Sequence, residues 1–233
     1  MHLTPAAAAV VKQPKEPAFM QVACVVVGML EVNCYLVWQE DSREALVIDP
    51  GDDVERIAAS IAEHELCPRA ILLTHAHVDH IRAVPGIAKL FGIPVWCHAR
   101  ERELYASPAN ALLPWLPAAE GLPEPSHALP SVSGLEYTVL ETAGHTPGGV
   151  CYYFPAAGML FSGDTLFQDS IGRADLPGGN ADVLLRSIRE RLLCLPPETK
   201  VYPGHGAATT IGAEARLNPY LAPIETQSAG YAP

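Results

Sequence analysis

Positive charge is scarce in this chain: 15 Lys and Arg stand against 26 Asp and Glu, a formal charge of −11. That balance argues against a surface that tracks nucleic-acid phosphates. Cysteine pairing is also missing. Cys24, Cys34, Cys67, Cys97, Cys151 and Cys194 include no Cys-x-x-Cys spacing, so neither a dithiol redox site nor a structural zinc site is read from them. They read as small buried hydrophobes in a reducing cytosol, and the expected location is cytoplasmic. No stretch approaches the roughly 20 apolar residues needed to span a bilayer. Met1 to Pro17 holds one short apolar run, Ala6–Val11, too short for a secretion signal. What the chain does have is apolar content: 49% of 233 residues, enough for one sizeable core. The expected organisation is a loose tail over residues 1–18 and a single domain over 19–233.

Short apolar runs alternate with turn signals along that domain. Val22–Val27, Cys34–Trp38, Ala45–Ile48, Ala70–Leu73 and Val95–Cys97 read as strands in a first half. An amphipathic helix is predicted over Asp52–Glu63 after an Asp-rich start, and another over His80–Phe91. Strands recur at Tyr137–Leu140, Val150–Phe154, Met159–Phe161 and Lys200–Tyr202. A helix carrying Leu184, Leu185, Ile188 and Leu192 lies between the last two. Strands in series followed by helix, twice over, predict two sheets packed face to face with helices outside, an α+β arrangement. Between the halves, residues 107 to 130 hold six prolines with Trp115. That density excludes regular sheet or long helix and predicts a loop insertion bordering the pocket.

The chemistry concentrates at Thr74-His-Ala-His-Val-Asp-His80, three imidazoles and a carboxylate after a strand-like run. Imidazole and carboxylate suit zinc and other borderline first-row metals. Four such ligands exceed what one tetrahedral ion uses while it keeps a position open for substrate. The surplus points to two metals. Three later segments repeat one grammar of strand, glycine and metal-competent side chain: Gly144-His145, Gly163-Asp164 and Gly204-His205. Taken singly, a histidine after a glycine is more often a turn or core residue, and Asp164 equally a turn former. Together with residues 74–80 the balance reverses, because unrelated turns would not all supply imidazole or carboxylate. His2, His64, His98 and His127 lack this context and are read as surface or ordinary structural histidines.

Six motifs in order carry a family resemblance: Asn33-Cys34-Tyr35-Leu36-Val37, Asp49-Pro50-Gly51, Thr74–His80, Gly144–Gly149, Gly163-Asp164-Thr165-Leu166-Phe167 and Pro203–Gly206. The chain resembles the metallo-β-lactamase-fold hydrolases, within them the glyoxalase II-like (hydroxyacylglutathione hydrolase-like) branch, from about Met20 to Tyr220. The resemblance implies a four-layer αββα sandwich. It also implies a first metal on His75, His77 and His145, a second on Asp79, His80 and His205, and Asp164 bridging both. Asp49 would orient the histidine loop by hydrogen bonds. Two divalent ions, zinc first with iron or manganese as alternatives, would activate a water as hydroxide for attack on a thioester or ester such as S-lactoylglutathione. Asp79 and Asp164 are the catalytic carboxylates of that reading.

Arg173, in Gly172-Arg-Ala-Asp175, is a candidate contact for a substrate carboxylate. An internal Arg173–Asp175 pair is the competing reading. Full-length glyoxalase II enzymes add a C-terminal helical domain for glutathione, whereas this sequence stops soon after Asn218–Leu221. Ala207 and Ala208 stand where a tyrosine is expected, and Arg82-Ala83 where glycines are common. The alternatives are a mononuclear iron persulfide dioxygenase, which the branch includes, and a lactonase of the same fold. The β-lactamases themselves resemble the chain less, because Gly-Asp164-Thr is not their pattern. The expected partner is a small-molecule substrate, with no nucleic acid and no membrane.

Overall fold

The computed structural model describes residues 19–221. The tail expected over residues 1–18 lies outside them. Strands β1 (Met20–Val27), β2 (Val32–Gln39) and β3 (Glu44–Ile48) form an antiparallel meander. β4 (Cys67–Leu72) and β5 (Val95–Trp96) extend it in parallel, giving one five-stranded sheet in sequence order. The second half begins with β6 (Thr138–Glu141), β7 (Val150–Phe154) and β8 (Met159–Gly163). A small hairpin, β9 (Leu166–Phe167) and β10 (Ser170–Ile171), follows, and then β11 (Lys200–Pro203) and β12 (Thr209–Thr210). The second sheet has the order β12-β11-β8-β7-β6, with β8 and β11 parallel.

Strand alternation builds the layers, because successive side chains point to opposite faces. In β2, Cys34, Leu36 and Trp38 pack with Ile57, Ile61, Val84 and Ile87, which come from helices α1 (Val54–Glu63) and α3 (Val84–Phe91). Tyr35 and Val37 point the other way, to Tyr152, Phe154 and Phe161 of the second sheet. Leu160 and Val201 then face Leu184, Ile188 and Leu192 on the far side. Leu184 lies on helix α5 (Ala181–Ser187), which continues into a wider π turn over Ile188–Leu192. Helix, sheet, sheet, helix is the αββα order expected from the sequence.

Local departures have physical causes. The helix expected over 80–91 breaks into α2 (Val78–Ile81) and α3. Pro85, without an N–H, stands at the start of α3, and the Ala83 N–H turns away to the Pro50 carbonyl at 3.1 Å. The Asp-rich start of α1 does not cap it. Asp53 sits at φ 51° and its carboxylate accepts from the Gly28 N–H at 2.9 Å, tying the helix start to the β1–β2 turn. The cysteines divide, with Cys34, Cys97 and Cys151 buried but Cys24, Cys67 and Cys194 exposed. Hairpin β9–β10, strand β12 and helix α6 (Ile211–Leu217) were too short to stand out in the pattern.

The proline-rich segment holds only a single turn at Pro108–Asn110 and a lone bridge between Leu112 and Leu116. It is strapped to helix α4 (Arg102–Tyr105). Arg102 donates to the Pro125 and Ser126 carbonyls at 2.9 and 2.8 Å, and the Tyr105 hydroxyl donates to Pro123 at 2.9 Å.

Candidate metal centre

Seven side chains converge where loops leave the strand ends of both sheets. The loop after β4 supplies His75 and His77, and α2 supplies Asp79 and His80. The β6–β7 loop brings His145, the turn after β8 brings Asp164, and the turn after β11 brings His205. His75 Nε2 lies 3.2 Å from His145 Nε2, which lies 2.9 Å from His77 Nδ1. These three buried imidazoles form one metal-competent group. Asp79, His80 and His205 form another. Asp79 Oδ2 stands 3.3 Å from His205 Nε2 and 3.8 Å from His80 Nε2. Asp164 faces both groups, with Oδ1 3.3 Å from His80 Nε2 and Oδ2 3.7 Å from both His145 Nε2 and His205 Nε2. The sequence-predicted set therefore meets in one place. His64, His98 and His127 join none of these groups.

Several imidazoles are held by their far nitrogen. His145 Nδ1 donates to the Arg173 carbonyl at 2.7 Å and His205 Nδ1 to the Leu30 carbonyl at 2.9 Å, so in the neutral tautomer each ring turns the Nε2 lone pair toward the centre. His80 Nδ1 lies 3.1 Å from Asp49 Oδ2. Asp49 also accepts from the Thr74 N–H at 2.7 Å and the Thr74 hydroxyl at 2.6 Å, so it fixes the start of the histidine loop as well as His80.

The turn carrying His205 needs glycine at 204. A Cβ there would come within 2.3 Å of Asp164 Oδ1 and 2.7 Å of His80 Cε1. Asn33 and Tyr35 hold that turn from β2. The Asn33 amide donates to the Pro203 and Gly206 carbonyls at 3.0 Å each, and the Tyr35 hydroxyl donates to Pro203 at 2.7 Å.

Electrostatics divide the two groups. Burial, reinforced by the neighbouring His145, lowers His77 to about 4. His75 is likewise pushed well below the usual imidazole range by burial and by His80 and His145. Burial also disfavours a charged His80, but Asp164 and Asp79 override it and hold the ring well above that range. His205 is raised for the same reason, by Asp79 and Asp164. Conversely, burial would raise Asp164 and Asp79, yet His80 and the other imidazoles hold both below the carboxylate range.

A metal fits this donor set. Asp79 Oδ1 is buried without a hydrogen-bond partner, and the buried His80 Nε2 and Asp164 Oδ1 face each other at 3.3 Å without a well-formed bond, an expensive condition unless something else occupies their lone pairs. All donors are nitrogen or oxygen, the preference of a borderline divalent ion. His205 (side chain 29% exposed) and Asp164 (13%) mark the open side of the centre.

Arg173 contributes through its backbone carbonyl on His145. Its guanidinium makes a bidentate pair with Asp175 at 2.8 and 2.7 Å, more than half exposed. Arg82 pairs with Asp52 at 3.3 Å, also exposed, and leaves His80 fully buried. Glu101, which carried no signal in its charged Arg100–Glu103 run, is fully buried beside the first group.

The sequence profile of the metallo-β-lactamase superfamily matches residues 27–205. The probable metallo-hydrolase YqgX of Bacillus subtilis is 40% identical over 201 residues, covering 84% of this chain and 94% of its own. The hydroxyacylglutathione hydrolase GloC of Haemophilus influenzae is 35% identical over 214 residues, covering 87% and 98%. Among solved structures, the BLEG-1 B3 metallo-β-lactamase superposes with TM-score 0.78 at 40% identity, covering 87% of this chain and 100% of that one. TTHA1623 in a di-iron-bound form gives 0.74 at 41%, covering 85% and 100%. ETHE1 from Myxococcus xanthus gives 0.69 at 28%, covering 85% and 83%. Among the described residues no helix is long and apolar enough to cross a membrane. With two packed sheets, paired His/Asp clusters at their loop edge and these relatives, the chain belongs to the metallo-β-lactamase superfamily, in its glyoxalase II-like branch.

Proposed function

We propose that this protein is a two-metal hydrolase of a thioester of the S-lactoylglutathione type. The observation that carries the reading is Asp164, one oxygen toward His80 and the other toward His145 and His205. A carboxylate so placed serves two ions at once. His75, His77 and His145 would hold one, and Asp79, His80 and His205 the second. Zinc is the first choice for these donors, with iron and manganese as alternatives.

Bound there, such ions supply Lewis acidity and lower the pKa of a water. The residues supply everything else. Asp49, the Arg173 carbonyl and the Leu30 carbonyl fix three imidazoles so that each presents Nε2 inward. Asp79, whose Oδ2 lies 3.3 Å from His205 Nε2 on the open side of the centre, is the carboxylate we assign to guiding the proton of the attacking water toward the departing thiol sulfur. The water oxygen bonds to the thioester carbon, the C–S bond breaks, and acid and thiol leave. GloC is the relative whose name carries this chemistry. Arg173 reaches a substrate carboxylate only by exchanging Asp175, which makes it a secondary contact in this reading.

Purified protein assayed on S-lactoylglutathione, other acyl-thioesters, lactones and a chromogenic cephalosporin, with metals quantified in the same preparation, tests the proposal. Two metals per chain and preferred thioester turnover are expected. One iron per chain with oxygen consumed on a persulfide overturns it in favour of the oxidative alternative. Faster turnover of the cephalosporin moves the chain to the chemistry that BLEG-1 is named for.

A further inference from the structure

Asp49 is not the only buried carboxylate built against the histidine loops. Glu101 closes the short turn Ala99–Glu101 that follows β5 and is fully buried. Its two oxygens reach different loops. Oε2 accepts from the Ala76 N–H at 2.9 Å, between His75 and His77, and Oε1 accepts from the Gly148 N–H at 2.6 Å, three residues after His145. Ala76 lies 25 residues before Glu101 in the chain and Gly148 lies 47 after it. Their loops belong to different sheets; the Val150 N–H donates to the Thr74 carbonyl at 2.8 Å where the two segments leave their strands, and Glu101 adds the tie further out, level with the histidines.

The approach is built into the sequence on the other side too. At Gly148 a Cβ would lie 2.7 Å from the Glu101 N and 2.8 Å from the Arg100 backbone, so only glycine lets the β6–β7 loop come this close. The Glu101 turn is in turn held in place. His98 accepts from the Arg100 N–H at 3.3 Å, and α4 directly after it is strapped by the proline-rich segment.

Resting on the two-ion reading above, we propose that Glu101 is a positioning residue for the His75–His77–His145 half-site alone. It clamps the two loops that carry those imidazoles and sets the gap between them. Asp49 does the equivalent for His80 in the other half-site. The proline-rich segment thereby acts on the metal centre through the α4 turn. Bidentate acceptance from two backbone amides is geometrically demanding. Gln keeps the volume and one acceptor. Ala removes both.

Cobalt(II) titration of metal-free protein, followed by visible absorption and calorimetry, reads each half-site separately on two backgrounds. H205A leaves the first half-site complete, and H77A leaves the second. On H205A, E101A is expected to weaken cobalt binding by about 10- to 100-fold, the usual effect of losing a group that orients ligands. E101Q is expected to fall between E101A and the parent. On H77A neither substitution is expected to shift the affinity. Equal weakening on both backgrounds shows a merely structural residue and overturns the assignment, as does unchanged affinity on H205A. Should E101A fail to fold, E101Q on the two backgrounds decides by the same criterion. If H205A with Glu101 intact binds no cobalt, the two-ion reading itself fails, a result distinct from either of the others.

Discussion

The two half-sites of this centre are made of different material and are supported differently. His75, His77 and His145 are all imidazoles, deeply buried and drawn from loops of both sheets. Asp79, His80 and His205 mix one carboxylate with two imidazoles, and His205 is partly open to solvent. In the first, imidazoles face one another and burial keeps His75 and His77 neutral. In the second, carboxylates surround His80 and His205 and favour their protonated forms. Ligand charge, more than ligand identity, thus separates one half from the other. On the two-ion reading, the first group would accept a cation with fewer protons to lose than the second.

The largest effect should come from removing the group the halves share. Asp164→Ala is expected to lower kcat/KM on the thioester by on the order of 10²–10³ or more, and to reduce metal content below two per chain by elemental analysis. A variant that keeps two metals and near-normal turnover would break the bridging role. Next, Asp49→Asn should weaken metal binding by about 10- to 100-fold. Asp49 touches His80 directly and reaches His75 through Thr74, so chelator competition on the H77A background, where Glu101 substitutions are expected to be silent, reads the His80 share of the loss.

The charge difference makes a prediction about pH. His77, lowered to about 4, and His75, also lowered, are uncharged through the neutral range, so protons on these two rings should not oppose metal binding there. His80 and His205 are raised, so protons on them would compete with a metal at higher pH than protons on His75 and His77 do. Second-half-site affinity should therefore climb with pH through the neutral range. Calorimetry in buffers of different ionisation enthalpy reads the protons released. Equal release at both half-sites would erase the contrast. The smallest effect is expected at the exposed Arg173–Asp175 pair. Arg173→Ala should change stability by no more than about 1 kcal/mol. Because the backbone carbonyl on His145 survives the substitution, metal content should hold. A rise in KM without a fall in kcat would mark a substrate contact.

Much of the site was legible because its ligands are chemically conspicuous. Three imidazoles and a carboxylate within 74–80 are rare without a metal, and the glycines before His145, Asp164 and His205 marked strand ends. Asp49 was legible from Asp-Pro-Gly after a strand. Glu101 was not. In Arg-Glu-Arg-Glu it looks like solvated surface, and only the fold buries it against two amides. Arg173 misled in another way, since the part that touches the site is its carbonyl, which every residue has. Asn33 and Tyr35 stood in a recognisable motif, but their grip on the His205 turn runs across 168 or more residues and leaves no local trace. The single helix expected over 80–91 broke because Pro85 allows a helix start as readily as it forbids a helix interior.

The sequence by itself determined the longer strands, the two-sheet layering and the residues able to act as donors, and the order of its motifs carries the family. Alternation, glycine punctuation and imidazole chemistry are all local properties of the chain. Tertiary structure alone decided how closely these donors approach one another, that Asp164 faces both groups, and which loops the buried carboxylates Asp49 and Glu101 hold. Those outcomes depend on distances of about 3 Å between segments tens to hundreds of residues apart. Such distances are fixed by how two sheets pack, and no spacing along the chain encodes them.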